Sequence, residues 1–197
     1  MGSFVHSLAV KTKNKKDLQK VVDETHESAY VGDPVDDWVP VFPENYGESD
    51  FAQKVSEKLQ KVTFLGYTHD SDDLYFQIYD KGKKVFEYDY APTFSSDIGV
   101  IRTGNIDAFN KYVSYKKDEK DIKEILTAEA GKNDKYTFAE ERYFYILEIL
   151  GVPKHLARGL SNFAYNYIND APSQKELEES INKDLPNLTK YTPEIDS

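Results

Sequence analysis

The chain has 197 residues, 39% of them hydrophobic and 14% aromatic, which suits one folded domain with a substantial core and excludes wholesale disorder. Its formal net charge of -10 argues against nucleic acid as a direct ligand, since phosphate binding needs a basic footprint. The absence of cysteine excludes disulfides, thiolate metal sites and cysteine nucleophiles.

In chain order, Ser3 to Lys11 reads as a first strand carrying Phe4, Val5, Leu8 and Val10. The apolar start runs into Lys11, Lys13, Lys15 and Lys16, not into a small-residue cleavage site, and His6 stands where a myristoylation motif wants Ser or Thr. No window approaches the roughly 18 apolar residues of a membrane span. Cytoplasm is therefore the expected location, with no membrane partner.

Asn14 to Glu27 reads as a helix, with Leu18, Val21 and Val22 at helical spacing. Gly32, Asp33 and Pro34 break the chain, and Trp38-Val39-Pro40-Val41-Phe42 follows as a short apolar run. Pro40 cannot donate to a ladder, so this run is expected at a sheet edge or as an extended segment. Ser49 to Gln60 reads as a second helix, capped by Ser49, with Phe51, Ala52, Val55 and Leu59 on one face.

The clearest signal covers residues 62–90. Val62 to Thr68, Leu74 to Tyr79 and Lys84 to Tyr90 read as three consecutive strands. Asp70 to Asp73 form the first turn and Asp80-Lys81-Gly82-Lys83 the second, a hairpin turn where Gly82 reaches positive φ without steric cost. Ala91 to Asn105 contains Pro92, Gly99 and Gly104 and lacks periodicity, so it reads as a long loop.

Helices are expected over Ile106 to Tyr115, Asp118 to Ala130 and Thr137 to Leu150. The last opens on a Thr137/Glu140 capping box and is closed by Gly151 and Pro153. Its apolar stripe is so wide that it should be the most buried helix of the chain. A late strand is expected within Asn162 to Ile168 and a helix over Ser173 to Lys183. The fold class is α+β: a mixed or antiparallel sheet with a three-stranded meander, helices on one face, and a helical C-terminal part. One domain spans 1–185, sheet-rich over 1–105 and helix-rich over 106–185, with a mobile tail over 186–197.

The run His69-Asp70-Ser71-Asp72-Asp73-Leu74-Tyr75-Phe76-Gln77-Ile78-Tyr79, then Gly82 and Val85-Phe86-Glu87-Tyr88, resembles a group of uncharacterised bacterial proteins with a hairpin of the form HDSD-x-L…Y-x-x-G…Y. The Trp38 to Phe42 segment before an amphipathic helix is similar to that group too. The resemblance spans residues 3–95 and implies one structural unit but no activity. The chain departs from the group's pattern at Asp89-Tyr90, where a polar pair is common. Its composition and architecture also resemble, more distantly, small acidic immunity proteins of bacterial toxin systems.

Chemical motifs are sparse. His6, His26, His69 and His155 never pair at metal-binding spacing, and a calcium loop from Asp70 would need Gly and Glu where Tyr75 and Lys81 stand. No nucleophile elbow and no glycine-rich phosphate cradle is present. No catalytic residue, metal or cofactor is therefore assigned. Among the many carboxylates, including Asp36-Asp37, Asp70, Asp72, Asp73, Glu87 and Asp89, some pairs arise by chance.

Charge patterning says more. From Val21 to Gln53 there are nine acids and no Lys or Arg, with Tyr30, Trp38, Phe42 and Tyr46 set among them. Acids beside aromatic anchors fit an interface for a cationic protein, the charge speeding encounter and the aromatics supplying affinity. The expected partner-binding residues are Asp33, Asp36, Asp37, Trp38, Glu44, Tyr46 and Glu48. The expected function is a non-enzymatic interaction protein, of immunity or inhibitor type, whose acidic surface binds a basic protein partner. The alternative is a small-molecule-binding or carboxylate-dependent hydrolytic enzyme with a site near the 91–105 loop.

Overall fold

The structure, a computed structural model, describes residues 5–25, 27–43, 48–69, 73–90, 99–114, 119–127, 139–153 and 189–192. In chain order the elements are β1 (Val5–Lys11), α1 (Lys16–Thr25), β2 (Ala29–Val31), β3 (Trp38–Pro43), α2 (Glu48–Leu59), β4 (Val62–His69), β5 (Asp73–Asp80), β6 (Lys83–Tyr90), β7 (Val100–Thr103), α3 (Ile106–Asn110), α4 (Glu119–Thr127), α5 (Ala139–Leu150) and β8 (Thr189–Tyr191). Among the described residues the strands form one sheet in the order β7-β6-β5-β4-β1-β3-β2-β8. Every neighbouring pair is antiparallel. The α+β class and the meander β4-β5-β6 are as the sequence predicts.

Period-two alternation divides the side chains between two cores. On one face Leu8, Val10, Val31, Val39, Val41 and Leu65 pack against Leu18, Val21 and Val22 of α1 and Phe51, Ala52 and Val55 of α2. On the other, Phe64, Phe76, Ile78, Phe86 and Tyr88 pack against Phe109, Ile122, Leu126, Tyr143, Ile146 and Leu147. The helices thus cover both faces, where one covered face was expected. The reason lies in the central strands: Leu8-Ala9-Val10 and Phe64-Leu65 are apolar on both sides, so each face needs its own cover.

Four further expectations are corrected. The Trp38 run is not an edge strand: the first half of β3 pairs with β1 and its second half with β2. Pro40 is tolerated because its carbonyl accepts from Gly32 N at 3.0 Å, one residue past the end of β2. The N–H and C=O of a strand residue point the same way, so the missing donor faces the end of β2 and costs the β1 ladder nothing. Ser49 does not cap α2 but lies within its first turn. The 91–105 region carries strand β7, between Gly99 (φ 69) and Gly104 (φ 78). The tail expected to be mobile from Pro186 contributes β8, paired with β2. The turn at 70–72, the Thr137/Glu140 box, and the elements expected at 162–168 and 173–183 lie outside the described residues.

Local chemistry explains the element ends. Asn105 caps α3 by accepting from Ala108 N at 2.8 Å. Gly151 closes α5 as predicted, with φ 72, its N–H bonded to Glu148 O at 3.0 Å and that of Val152 to Leu147 O at 2.8 Å. That pair of bonds is the Schellman arrangement. The Lys81-Gly82 turn holds both residues at positive φ, 52 and 78, and α2 clamps it: Gly82 N donates to Ser56 Oγ at 3.1 Å and Gln53 donates to Gly82 O at 3.0 Å. Arg142 of α5 is buried, donating to Tyr88 Oη at 3.1 Å and to Ile125 O, in the last turn of α4, at 3.0 Å. It also lies 4.3 Å from the Tyr90 ring centroid. A cation placed there satisfies a helix-end carbonyl and the negative end of the helix dipole.

Candidate functional site: the β4–β7 face

On the face that carries α1 and α2, cross-strand register lines residues up in rows. One row runs Leu8, Leu65, Gln77, Glu87, Thr103 across β1, β4, β5, β6 and β7. The next carries Tyr67, Tyr75, Asp89 and Val100 across β4 to β7. The first row turns from apolar, beneath the helices, to polar and partly exposed toward β6 and β7, and the second is most exposed at Tyr67.

Glu87 is the centre of this polar end. Its carboxylate accepts from Tyr75 Oη at 2.5 Å, Gln77 Nε2 at 3.1 Å, Lys84 Nζ at 3.2 Å and Thr103 Oγ1 at 3.1 Å. Gln77 also donates to the Tyr75 hydroxyl. Its carbonyl oxygen accepts from Tyr79 Oη at 2.7 Å. Ser49 Oγ lies 2.7 Å from Tyr79 Oη and 3.0 Å from Gln77 Oε1, which joins the first turn of α2 to the same network. Burial pushes the Glu87 carboxyl up, but hydrogen bonds from Tyr75, Gln77 and Lys84 outweigh it and hold the group below its ordinary 4.5. Burial, then the bond to Glu87, drives the Tyr75 phenol well above its ordinary 10. At neutral pH the site therefore holds a fixed carboxylate and a fixed phenol donor.

Beside this network the Tyr67 and Tyr75 rings meet across strands, with centroids 5.1 Å apart. Tyr67 is 39% exposed, the most prominent aromatic at the surface of the described residues. Asp89 follows Tyr75 in the row and pairs with Arg102 of β7 at 3.1 Å.

The residues expected to bind a partner are placed differently. Trp38 is a core residue, 3% exposed, with Lys11 Nζ 5.5 Å from its ring centroid, and is not a surface anchor. Asp33 pairs with Lys15, and Asp37 with Lys13 at 3.0 Å. Asp36 is exposed at the tip of a tight turn between Val35 and Trp38, whose backbones exchange bonds at 2.8 and 3.0 Å. Glu44 and Tyr46 lie outside the described residues, and Glu48 opens α2 with its side chain likewise outside them. The structure brings Asp33, Asp36, Asp37 and Trp38 to one corner but sets lysines of the β1-α1 junction against two of the acids. Elsewhere in the base-free stretch, Glu24 pairs with Lys58 at 2.5 Å and Glu27 with Lys54 at 3.6 Å. Four of the nine acids of the base-free stretch, Glu24, Glu27, Asp33 and Asp37, are thus paired with lysines in space.

The site missed by sequence reasoning is the Tyr67/Tyr75/Glu87 face. Its signal was available: Tyr67 falls on the same face of β4 as Leu65 and Thr63, and the meander register sets it opposite Tyr75. The β7 side of this face adjoins the place named for the alternative enzymatic site; residues 91–98 lie outside the described residues. No cluster able to hold a metal ion occurs among the described residues. A small, partly open pocket lined by Lys11, Trp38, Val62, Phe64, Ile78, Tyr112 and Leu150 holds about 10 Å³, room for one water molecule. No helix among the described residues is long and apolar enough to cross a membrane. No family model, curated protein or solved structure matches the chain.

Proposed function

We propose that this chain is a non-enzymatic interaction protein that binds a basic protein partner, in the manner of an inhibitor or immunity protein. The observation that carries the reading is exposed Tyr67, its ring against half-buried Tyr75 on a sheet face beside Asp89 and Glu87, in a chain of net charge -10. Tyrosine supplies contact area and a polar tip at small entropic cost, and its ring face attracts lysine and arginine. The net negative field draws a cationic partner in. In this reading Tyr67 and Tyr75 on β4 and β5 are the aromatic anchor, and the Asp33–Asp37 corner serves encounter.

The state of Glu87 favours binding over hydrolysis. A carboxylate that acts as general acid needs a raised pKa, and one that acts as base needs an open lone pair. Glu87 is held low and already accepts four hydrogen bonds.

The test is capture of basic proteins on the immobilised chain, followed by association kinetics at two salt concentrations for wild type and Tyr67→Ser. The expected result is binding that weakens with salt and loses about tenfold or more in affinity with Tyr67→Ser, in the range of a hot-spot aromatic. Capture that is unaffected by Tyr67→Ser and by salt would refute the reading.

A further inference from the structure

We propose that the outer edge of β2 is a docking site for an extended, basic segment of a partner protein, and that the chain's own β8 occupies it at rest. The site lies on the opposite flank of the sheet from Tyr67 and does not depend on that face.

The receiving edge is preformed. With β8 in place Ala29, Tyr30 and Val31 are buried, and independently of β8 the strand is paired on its inner side with β3 over its whole length. Their side chains divide between the two cores, so β2 keeps its place whatever lies outside it. The occupant is slight by contrast. β8 has three residues, pairing Ala29 with Tyr191, Tyr30 with Lys190 and Val31 with Thr189, and Thr189 and Lys190 are exposed. Backbone pairing of this kind is indifferent to sequence, which is the basis of recognition by strand addition.

One side-chain contact gives the edge selectivity, and a second holds the occupant's backbone. Lys190 Nζ stands 5.4 Å from the centroid of the Tyr30 ring, a cation–π distance. Gln19 of α1 donates to Thr192 O at 3.2 Å, fixing the backbone just beyond the strand across 173 residues of sequence. A guest strand therefore needs an extended backbone, antiparallel to β2, with Lys or Arg opposite Tyr30. The negative charge of the chain favours the same guest. A strand of three residues loses little when it leaves and leaves behind an ordered edge, the arrangement of an intramolecular occupant that a longer basic strand can displace.

The experiment uses the full chain. A fluorescein-labelled peptide carrying residues 187–193 is titrated into wild type and into the double variant Thr189→Pro/Lys190→Pro, which cannot sustain β8 pairing. The variant should bind the peptide about tenfold more tightly than wild type, because the competing cis strand is gone. A peptide with Lys190→Glu should lose most of that binding. A folded variant that binds no more tightly than wild type overturns the proposal. So does a wild-type dimer whose mass halves in the variant, since β8 would then be exchanged between copies. If the variant does not fold, hydrogen exchange on wild type decides. Lys190 and Tyr191 amides that exchange faster than those of β4 support opening of β8, and amides as slow as those of β4 overturn it. Because the readout is peptide binding at β2, failure of the Tyr67 face to hold a partner leaves it untouched.

Discussion

The phenol of Tyr75 on β5 donates a 2.5 Å hydrogen bond to the carboxylate of Glu87, diagonally across the β5-β6 pair, and both groups are shifted toward the forms that make that bond. In the unfolded chain Glu87 returns to its ordinary value near 4.5; folded, it lies lower. The folded state therefore binds fewer protons in mild acid, and the stability this group supplies is complete above that ordinary value and fades as pH falls through the folded one.

Glu87→Gln should destabilise the fold by about 1–3 kcal/mol at pH 7, since the introduced amide cannot accept from Lys84 and Thr103 as the carboxylate does. Urea unfolding of both proteins, at pH 7 and again below the ordinary carboxylate range, measures this. The gap should narrow in acid as wild type loses its advantage. A gap independent of pH would mean that Glu87 is not held ionised by its partners.

The hairpin at Lys81-Gly82 offers a paired test. Both residues have positive φ, as in the two-residue turn that matches strand twist. A Cβ on Gly82 would sit 2.7 Å from Glu57 Cβ on α2. Gly82→Val should cost about 2–4 kcal/mol from strain and overpacking together. Lys81→Asn should instead stabilise by about 0.5 kcal/mol, Asn being the easier residue in the left-handed region. Thermal melts of the two variants moving in opposite directions is the expected outcome; equal melts would remove the assignment.

The meander was legible because its signal is local: alternation sets the faces, and a Gly-containing turn sets the register. The end of α5 was legible for the same reason, since Gly151 and Pro153 act on the adjacent turn. What was not legible depends on pairing at long range. Lys13 and Asp37 stand 24 positions apart, and only the β1-β3 pairing shows that the basic junction meets the acidic turn. Trp38 reads as an anchor among acids until β3 is seen to lie inside the sheet. Pro40 reads as an edge marker until its carbonyl is found facing Gly32. β8, Thr189-Lys190-Tyr191, holds strand-favouring residues but is only three residues long, too short for alternation to show, and its partner β2 is distant in sequence.

Gly66 and Tyr143 define how α5 sits on the sheet. The Tyr143 hydroxyl donates to either Ser7 Oγ at 2.7 Å or Gly66 O at 3.1 Å, and its ring lies over the glycine. A Cβ at residue 66 would come within 2.6 Å of Tyr143 Cε2 and 2.9 Å of Phe64 Cζ. Gly66→Ala should therefore destabilise by about 1–3 kcal/mol, the usual cost of overpacking. Ile146→Ala, on the same buried helix, should cost about 2–5 kcal/mol through the cavity it leaves. Fast amide exchange throughout α5 would contradict both.

The Asp36-Asp37 turn gives the test that separates charge from fold. Asp36 has φ 54, which Asn tolerates at least as well, and Asp37 forms an exposed pair with Lys13, 55% and 78% exposed. Exposed pairs contribute about 0–1 kcal/mol, so Asp36→Asn/Asp37→Asn should leave the melting temperature within a few degrees of wild type. The same double change removes two negative charges from a corner exposed to an approaching partner. Steering by exposed charge is screened beyond about 10 Å at 0.1 M salt, so the variant should associate more slowly with a basic partner at low salt and match wild type at high salt. Its dissociation rate should stay close to wild type, because the anchoring contacts are assigned to Tyr67 and Tyr75. Association as fast as wild type at low salt would remove this corner from the encounter surface, and a slowed association that persists at high salt would mean that the acids make direct contacts.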